Sequence, residues 1–515
     1  MNGSQARRSI ARNTFWNVGV KTAYIALWVV LTPAVLAGLG RERFGFWSLM
    51  MLLGGSITFL DLGLTAAMTT YTAQLLAAGR RNAVTRTLLR GLVVYAIFGL
   101  VVMLAGIALT PLVRAAFHVP PGWWDQARRA YHLTLVGFAV ASIVGVLQGA
   151  LVGLHRMDLS SKIGLALAPL LLGLSLLALR TGTPLIGLAI AQLIHTSCTL
   201  LVLVVSLTGV LRRRPGDAAD DGDPGPGVRE MVRYGVRIQL SVLGNFLHMQ
   251  VDRALVGARI GLAWVAPVDL GLRVTNGISN MPQLFLGALL PAIADADARA
   301  TGEGRGELYR RMMVPYVLVL VPIGAVTVAL ADVLMRLWLG GEHPDAALAL
   351  RILMTTATVT LLGGVGAMMA RAGGRPGLES RYSVGALVLH VGLSLLGLRW
   401  LGWPGTLIGG LAASSLATVW FLGAVDRWLG LPPWRAVRGP LARAIPPALV
   451  AGLGAWLIQR WQPGAGRWAQ LVPLTAAGMV FVLAYGLLLW WIAPADTRAL
   501  VRRVRTLVVA RGGEA

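Results

Sequence analysis

From Thr14 onward the chain alternates long apolar runs with short polar breaks. Each run is about 20 residues or longer, enough for a helix to cross a bilayer core of about 30 Å. The pattern predicts 14 spans, at approximately 14–39, 44–72, 88–113, 130–154, 160–180, 183–211, 231–257, 264–290, 312–338, 346–370, 380–401, 405–425, 441–459 and 470–492. The connections leave no room for an extramembrane domain. One break stands apart. Arg212 to Gly227 (RRRPGDAADDGDPGPG) is charged and rich in Pro and Gly; it has nothing to bury and belongs in water beside the bilayer. The expected fold is therefore all-α and polytopic. An N-terminal lobe of six helices (1–211), a linker (212–230), a second six-helix lobe (231–428) and a C-terminal pair of helices with a basic tail (429–515) make up the chain. The first run follows Arg7, Arg8 and Arg12. It is too long for a signal-peptide core and leads straight into a second span, so it reads as an uncleaved first helix.

A weak internal repeat supports two halves related by an axis along the membrane normal. Leu39-Gly40 with Phe44-Gly45 has a counterpart in Ile260-Gly261 with Val265-Ala266. The last two spans fall outside this symmetry.

Composition sharpens the class. Of 515 residues, 56% are hydrophobic and 13% charged, where soluble proteins carry about 25% charged residues. The net charge of +24 is almost all arginine. The arginines sit in the breaks rather than on one soluble face, so they read as topology signals and lipid-headgroup contacts and not as a nucleic-acid footprint. With the N-terminus cytoplasmic, roughly 30 basic residues collect in the cytoplasmic segments against roughly 11 opposite. That bias requires an even number of spans and puts both termini in the cytoplasm. Cys198 is the sole cysteine, which excludes an internal disulfide or a cysteine metal cluster; it reads as a small buried hydrophobe.

Ionisable groups inside spans are costly and face a cavity or a partner. Lys21 lies in the first span with Asn17 and Tyr24 one turn away on either side. Asp61, in the second span, reaches a similar depth. Three readings fit: a structural Lys21–Asp61 pair, a phosphate-binding Lys21 with Asp61 as counter-ion or proton carrier, and snorkelling of Lys21 to the interface. The seventh span carries Arg237, Gln239, Asn245, His248, Gln250, Asp252 and Arg253, a polar face suited to a water-filled cavity. In the eighth, Asp269 and Arg273 stand at i,i+4, as either a closed pair or a site where Arg273 grips a diphosphate; Asn276 and Asn280 follow. His195, His390, Gln148 and Gln192 read as helix–helix hydrogen bonders. The tryptophans cluster near span ends as an aromatic belt, with Trp123 and Trp124 read as interface anchors rather than a sugar-stacking pair. No catalytic set, P-loop or zinc motif is present. The chain reads as a carrier and not an enzyme, with no cofactor or metal.

Two stretches carry a resemblance: Leu39 to Leu64 (LGRERFGFWSLMMLLGGSITFLDLGL) and Tyr234 to Gly261 (YGVRIQLSVLGNFLHMQVDRALVGARIG). They resemble the polysaccharide flippase, or Wzx-type, branch of the multidrug/oligosaccharidyl-lipid/polysaccharide exporter superfamily. The Gly-x-x-x-Phe-Gly-x-Trp turn at Gly40 to Trp47, Gln250-Val251-Asp252-Arg253 in the seventh span and Pro291 closing the eighth carry the likeness. The resemblance implies a V-shaped, two-lobed bundle working by alternating access in a bacterial inner membrane. It implies movement of a polyprenyl-diphosphate-linked oligosaccharide from the inner to the outer leaflet. Partners would be the lipid bilayer, the lipid-linked glycan, and polysaccharide polymerase or glycosyltransferases. Lys21, Arg237, Arg253 and Arg273, with Asn17 and Gln250, are then the headgroup ligands; Asp61, Asp252 and Asp269 balance or couple. The competing reading is a cation-coupled multidrug antiporter of the same superfamily, which wants an acidic, aromatic cavity. A glycan polymerase or ligase would need a larger outer loop than Arg114 to Arg129.

Overall fold

The first apolar run continues into the second through a single bend. Helix α1 (Gly3–Gly55) is interrupted at Gly40, whose φ of 71° and ψ of 169° no residue with a Cβ adopts without strain. The repeat's counterpart, Gly261, also has positive φ, 134°. The two turns pack on each other: a Cβ on Gly45 would stand 1.8 Å from the carbonyl oxygen of Leu262. Arg41 lies over the Trp264 ring at 5.6 Å. The equivalences read along the sequence therefore mark two glycine turns that meet.

The computed structural model describes residues 3–55, 64–211, 227–231, 233, 250–299, 303–460, 466–494 and 498. These form two compact units, Met1–Ala266 and Pro267–Ala515. In the first, α1 is followed by α2 (Leu64–Ala77), α3 (Arg81–Ala108), α4 (Thr110–Ala116), α5 (Trp124–Gly153), α6 (Met157–Ala178) and α7 (Pro184–Leu211). Helix α8 (Leu262–Arg299) leads into the second unit. There follow α9 (Glu303–Ala329), α10 (Ala331–Leu339), α11 (Pro344–Leu362), α12 (Gly364–Ala372), α13 (Pro376–Leu401), α14 (Trp403–Trp428), α15 (Arg435–Gln459) and α16 (Leu471–Ile492). No strand occurs among the described residues. Eleven helices there are long and apolar enough to cross a membrane, and one of them, Gly19–Leu52, joins the first two expected spans through Gly40. Most of the expected span at 231–257 lies outside the described residues.

Exposure runs opposite to that of a water-soluble protein. Helix α3 exposes Leu89, Val93, Ile97, Leu100 and Leu104 along one face, and α16 exposes Val482, Leu483 and Leu487. Such stripes are the lipid-facing sides of a polytopic membrane protein, whose backbone polar groups must be satisfied within helices.

Three expected spans are broken, and side chains cap freed carbonyls at two of the breaks. Pro111 has no N–H for the carbonyl of Ile107; the Thr110 hydroxyl donates to that oxygen at 2.6 Å. Pro322 inside α9 likewise deprives the carbonyl of Leu318, and the Tyr485 hydroxyl donates to it at 3.0 Å. Where α9 gives way to α10, Gln459 donates from Nε2 to the carbonyl of Ala329 at 2.7 Å. The third break, at Gly363, separates α11 from α12.

The C-terminal pair is built into the second unit. Ala444, Ala448, Ala451 and Ala455 on α15, with Ala477, Phe481, Tyr485 and Leu489 on α16, join Tyr309, Tyr316 and Val317 of α9 in one buried cluster. Small residues at this spacing let helices approach closely, which drives association where lipid is as apolar as the side chains. The α13–α14 hairpin uses the same device: a Cβ on Gly405 would meet the carbonyl oxygen of Gly397 at 1.9 Å.

Candidate functional site

Helix α1 buries Leu27, Leu31 and Val35, leaving Lys21 on another face. The Lys21 side chain is exposed and makes no hydrogen bond or ion pair with any described residue. Asp61, its expected neighbour, lies outside the described residues, as do Arg237, Gln239, Asn245 and His248. Asn17 lies within α1, with its side chain outside what is described. Tyr24 turns inward, its hydroxyl 3.4 Å from His195 Nε2 on α7. His195 thus bridges helices as expected of it. Among the described residues, neither the Gln148 nor the Gln192 side chain has a hydrogen-bond partner, and Gln148 is exposed. The helix at 250–259 places Gln250 one turn from Arg253, whose guanidinium donates to the Gln250 side-chain oxygen. Asp252 is buried between them in sequence, at 6% exposure.

In the second unit, Asp269 and Arg273 close the i,i+4 pair: Arg273 Nε donates to Asp269 Oδ2 at 2.7 Å. The two partners are unequally placed. The Asp269 side chain is 2% exposed and that of Arg273 22%. A charge-assisted bond to a buried carboxylate fixes the guanidinium. Below it, Asn276, Asn280 and Gln283 are all exposed. At about 100° per residue these five side chains fall within about 80° of arc on α8. Gly271, Thr275, Ser279, Pro282 and Leu286 form the opposite, buried face.

Three features escaped the sequence reading. Gln283 continues the polar face, a position findable from the helical period. Arg351 on α11 pairs with Asp332 on α10; only the packing of two helices separated by a loop reveals it. Trp123 is no interface anchor: it is buried edge-on against Phe46 at 5.6 Å, with Arg43 over its ring. The belt reading suits Trp400, Trp468 and Trp491, which are exposed. Among the described residues no cluster of potential metal ligands occurs.

Comparison with known proteins places this architecture. The MatE family profile matches residues 18–177. No curated protein matches the chain at a significant level. Among solved structures, the lipid II flippase MurJ in an inward closed conformation superposes with a TM-score of 0.67 at 10% identity, over 91% of this chain and 98% of that one. An inward-facing multidrug resistance MATE transporter of the MOP superfamily gives 0.61 at 16% identity, over 79% and 94%. A MOP superfamily transporter from Pyrococcus furiosus, described as having a binding pocket of reverse polarity, gives 0.54 at 18% identity, over 82% and 94%. The fold is that of MATE-like transporters and flippases.

Proposed function

We propose that this transporter-fold chain moves a polyprenyl-diphosphate-linked oligosaccharide from the inner to the outer leaflet of a bacterial inner membrane. It does so by alternating access, with both termini cytoplasmic, and it serves the assembly of a cell-surface polysaccharide. The observation that carries this reading is the asymmetry of exposure among Lys21, Asp252, Asp269 and Arg273. The carboxylates Asp252 and Asp269 are buried, at 6% and 1% exposure, whereas the Lys21 side chain is exposed and that of Arg273 is 22% exposed beside its bond to Asp269. At these four positions the accessible charge is positive. A diphosphate carries about two negative charges, which guanidinium and ammonium groups hold through charge-assisted hydrogen bonds. An antiporter of organic cations wants the reverse, an open carboxylate. Arg253, held by Gln250, and Arg237 complete the proposed headgroup ligands, with Asn17 adding a polar contact. Asp61, Asp252 and Asp269 balance them.

The MatE match and the multidrug MATE neighbours favour a second reading, a multidrug antiporter. Mass spectrometry of lipid extracts separates the two. A strain lacking the protein should accumulate a polyprenyl-diphosphate oligosaccharide. Wild type should relieve the accumulation, and Lys21→Ala or Arg273→Ala should not. An unchanged lipid-linked pool, in a strain with no second flippase, would reject the proposal.

A further inference from the structure

The polar face of α8 is longer than a diphosphate requires. From Arg273 to Gln283 the helix rises about 15 Å, and beyond Arg273 the exposed polar residues, Asn276, Asn280 and Gln283, are uncharged amides. No side chain of the three is hydrogen-bonded to a described residue. An exposed amide in a membrane helix is unfavourable against lipid, so three at i, i+4 and i+7 mark water or a polar ligand. Their chemistry narrows the ligand. Among the described residues of this face, Arg273 is the one cation and the buried Asp269 the one carboxylate, so the amide stretch suits neither a second phosphate nor a cation. Each amide offers two donors and one acceptor, matching groups that both donate and accept.

We propose that Asn276, Asn280 and Gln283 form a sugar-binding track that engages the hydroxyl and acetamido groups of the glycan next to the diphosphate. The inference rests on the lipid-linked substrate proposed above. Arg273 sits at the charged end of the track and the sugars run along α8 from it. Discrimination then arises because an amide that the bound glycan covers without pairing costs more than the bond gains.

The test measures binding of purified protein to three probes: polyprenyl diphosphate, its N-acetylglucosamine derivative and its galactose derivative. Wild type should bind at least one sugar-bearing lipid tighter than the bare diphosphate, by about tenfold or more. The variant Asn276→Leu/Asn280→Leu/Gln283→Leu should lose that increment while keeping wild-type affinity for the bare lipid, which also reports that it is folded. Arg273→Gln should weaken all three. A variant that keeps the increment, or a wild type that binds all three lipids equally, would overturn the track. Failure of wild type to bind polyprenyl diphosphate at all would instead overturn the substrate assignment.

Discussion

At the scale of single residues, function and stability separate cleanly at Lys21. A side chain that is exposed and bonded to no described residue contributes little to the fold; substitutions at such sites stay within about 0.5 kcal/mol. Lys21→Ala should therefore abolish relief of the lipid-linked pool while leaving the thermal midpoint of the purified protein unchanged. A midpoint that falls with activity would make Lys21 structural. Arg273 behaves differently, because it also bonds the buried Asp269. Removing one member of a buried pair destabilises by about 3–5 kcal/mol, so Arg273→Ala and Arg273→Gln should both lower the thermal midpoint, unlike Lys21→Ala. The Asp269–Arg273 pair was legible because i,i+4 spacing dictates it. Trp123 was misread because a tryptophan at a span end looks the same whether it faces lipid or packs beneath Phe46. Arg351 was invisible because its partner lies 19 residues away across a turn.

At the scale of elements, the apolar runs predicted helices well because a helix satisfies its own backbone in lipid and runs of about 20 residues fit one crossing. The breaks within them were missed. They depend on single residues and their partners, such as Pro111 with the neighbouring Thr110 hydroxyl or the Gln459 amide brought to Ala329 from α15. Glycine seams are similarly silent, since only the approach of two helices distinguishes a seam glycine from an open one. In the α13–α14 hairpin, Gly405→Ala would place a Cβ 1.9 Å from a backbone oxygen that has nowhere to go. It should destabilise by at least the 1–3 kcal/mol or so typical of overpacking, read as a lower thermal midpoint and poor yield. Gly392→Ala on the same α13 meets nothing within 4 Å and should be neutral or raise stability by up to about 1 kcal/mol through helix propensity. Equal behaviour of the two variants would contradict the seam.

At the scale of the whole molecule, the repeat was readable because each half needs a sharp turn at the same place, and a glycine with positive φ supplies it at Gly40 and at Gly261. The substrate was less legible. Length, hydropathy and the basic bias are shared by transporters of many solutes, and the distinction rests on which charges stay open once helices pack. Those open charges also suggest the driving force. With the cell interior negative, outward movement of an anionic head is favoured by about 2.3 kcal/mol per charge per 100 mV when it crosses the full field, with no coupled cation required. The most direct measurement reconstitutes the protein in vesicles carrying a fluorescent polyprenyl-diphosphate sugar and follows exposure of the head group under a potassium–valinomycin potential. The account predicts protein-dependent translocation that speeds up when the starting side is made negative and is lost in Lys21→Ala. Translocation no faster than in protein-free vesicles would contradict it.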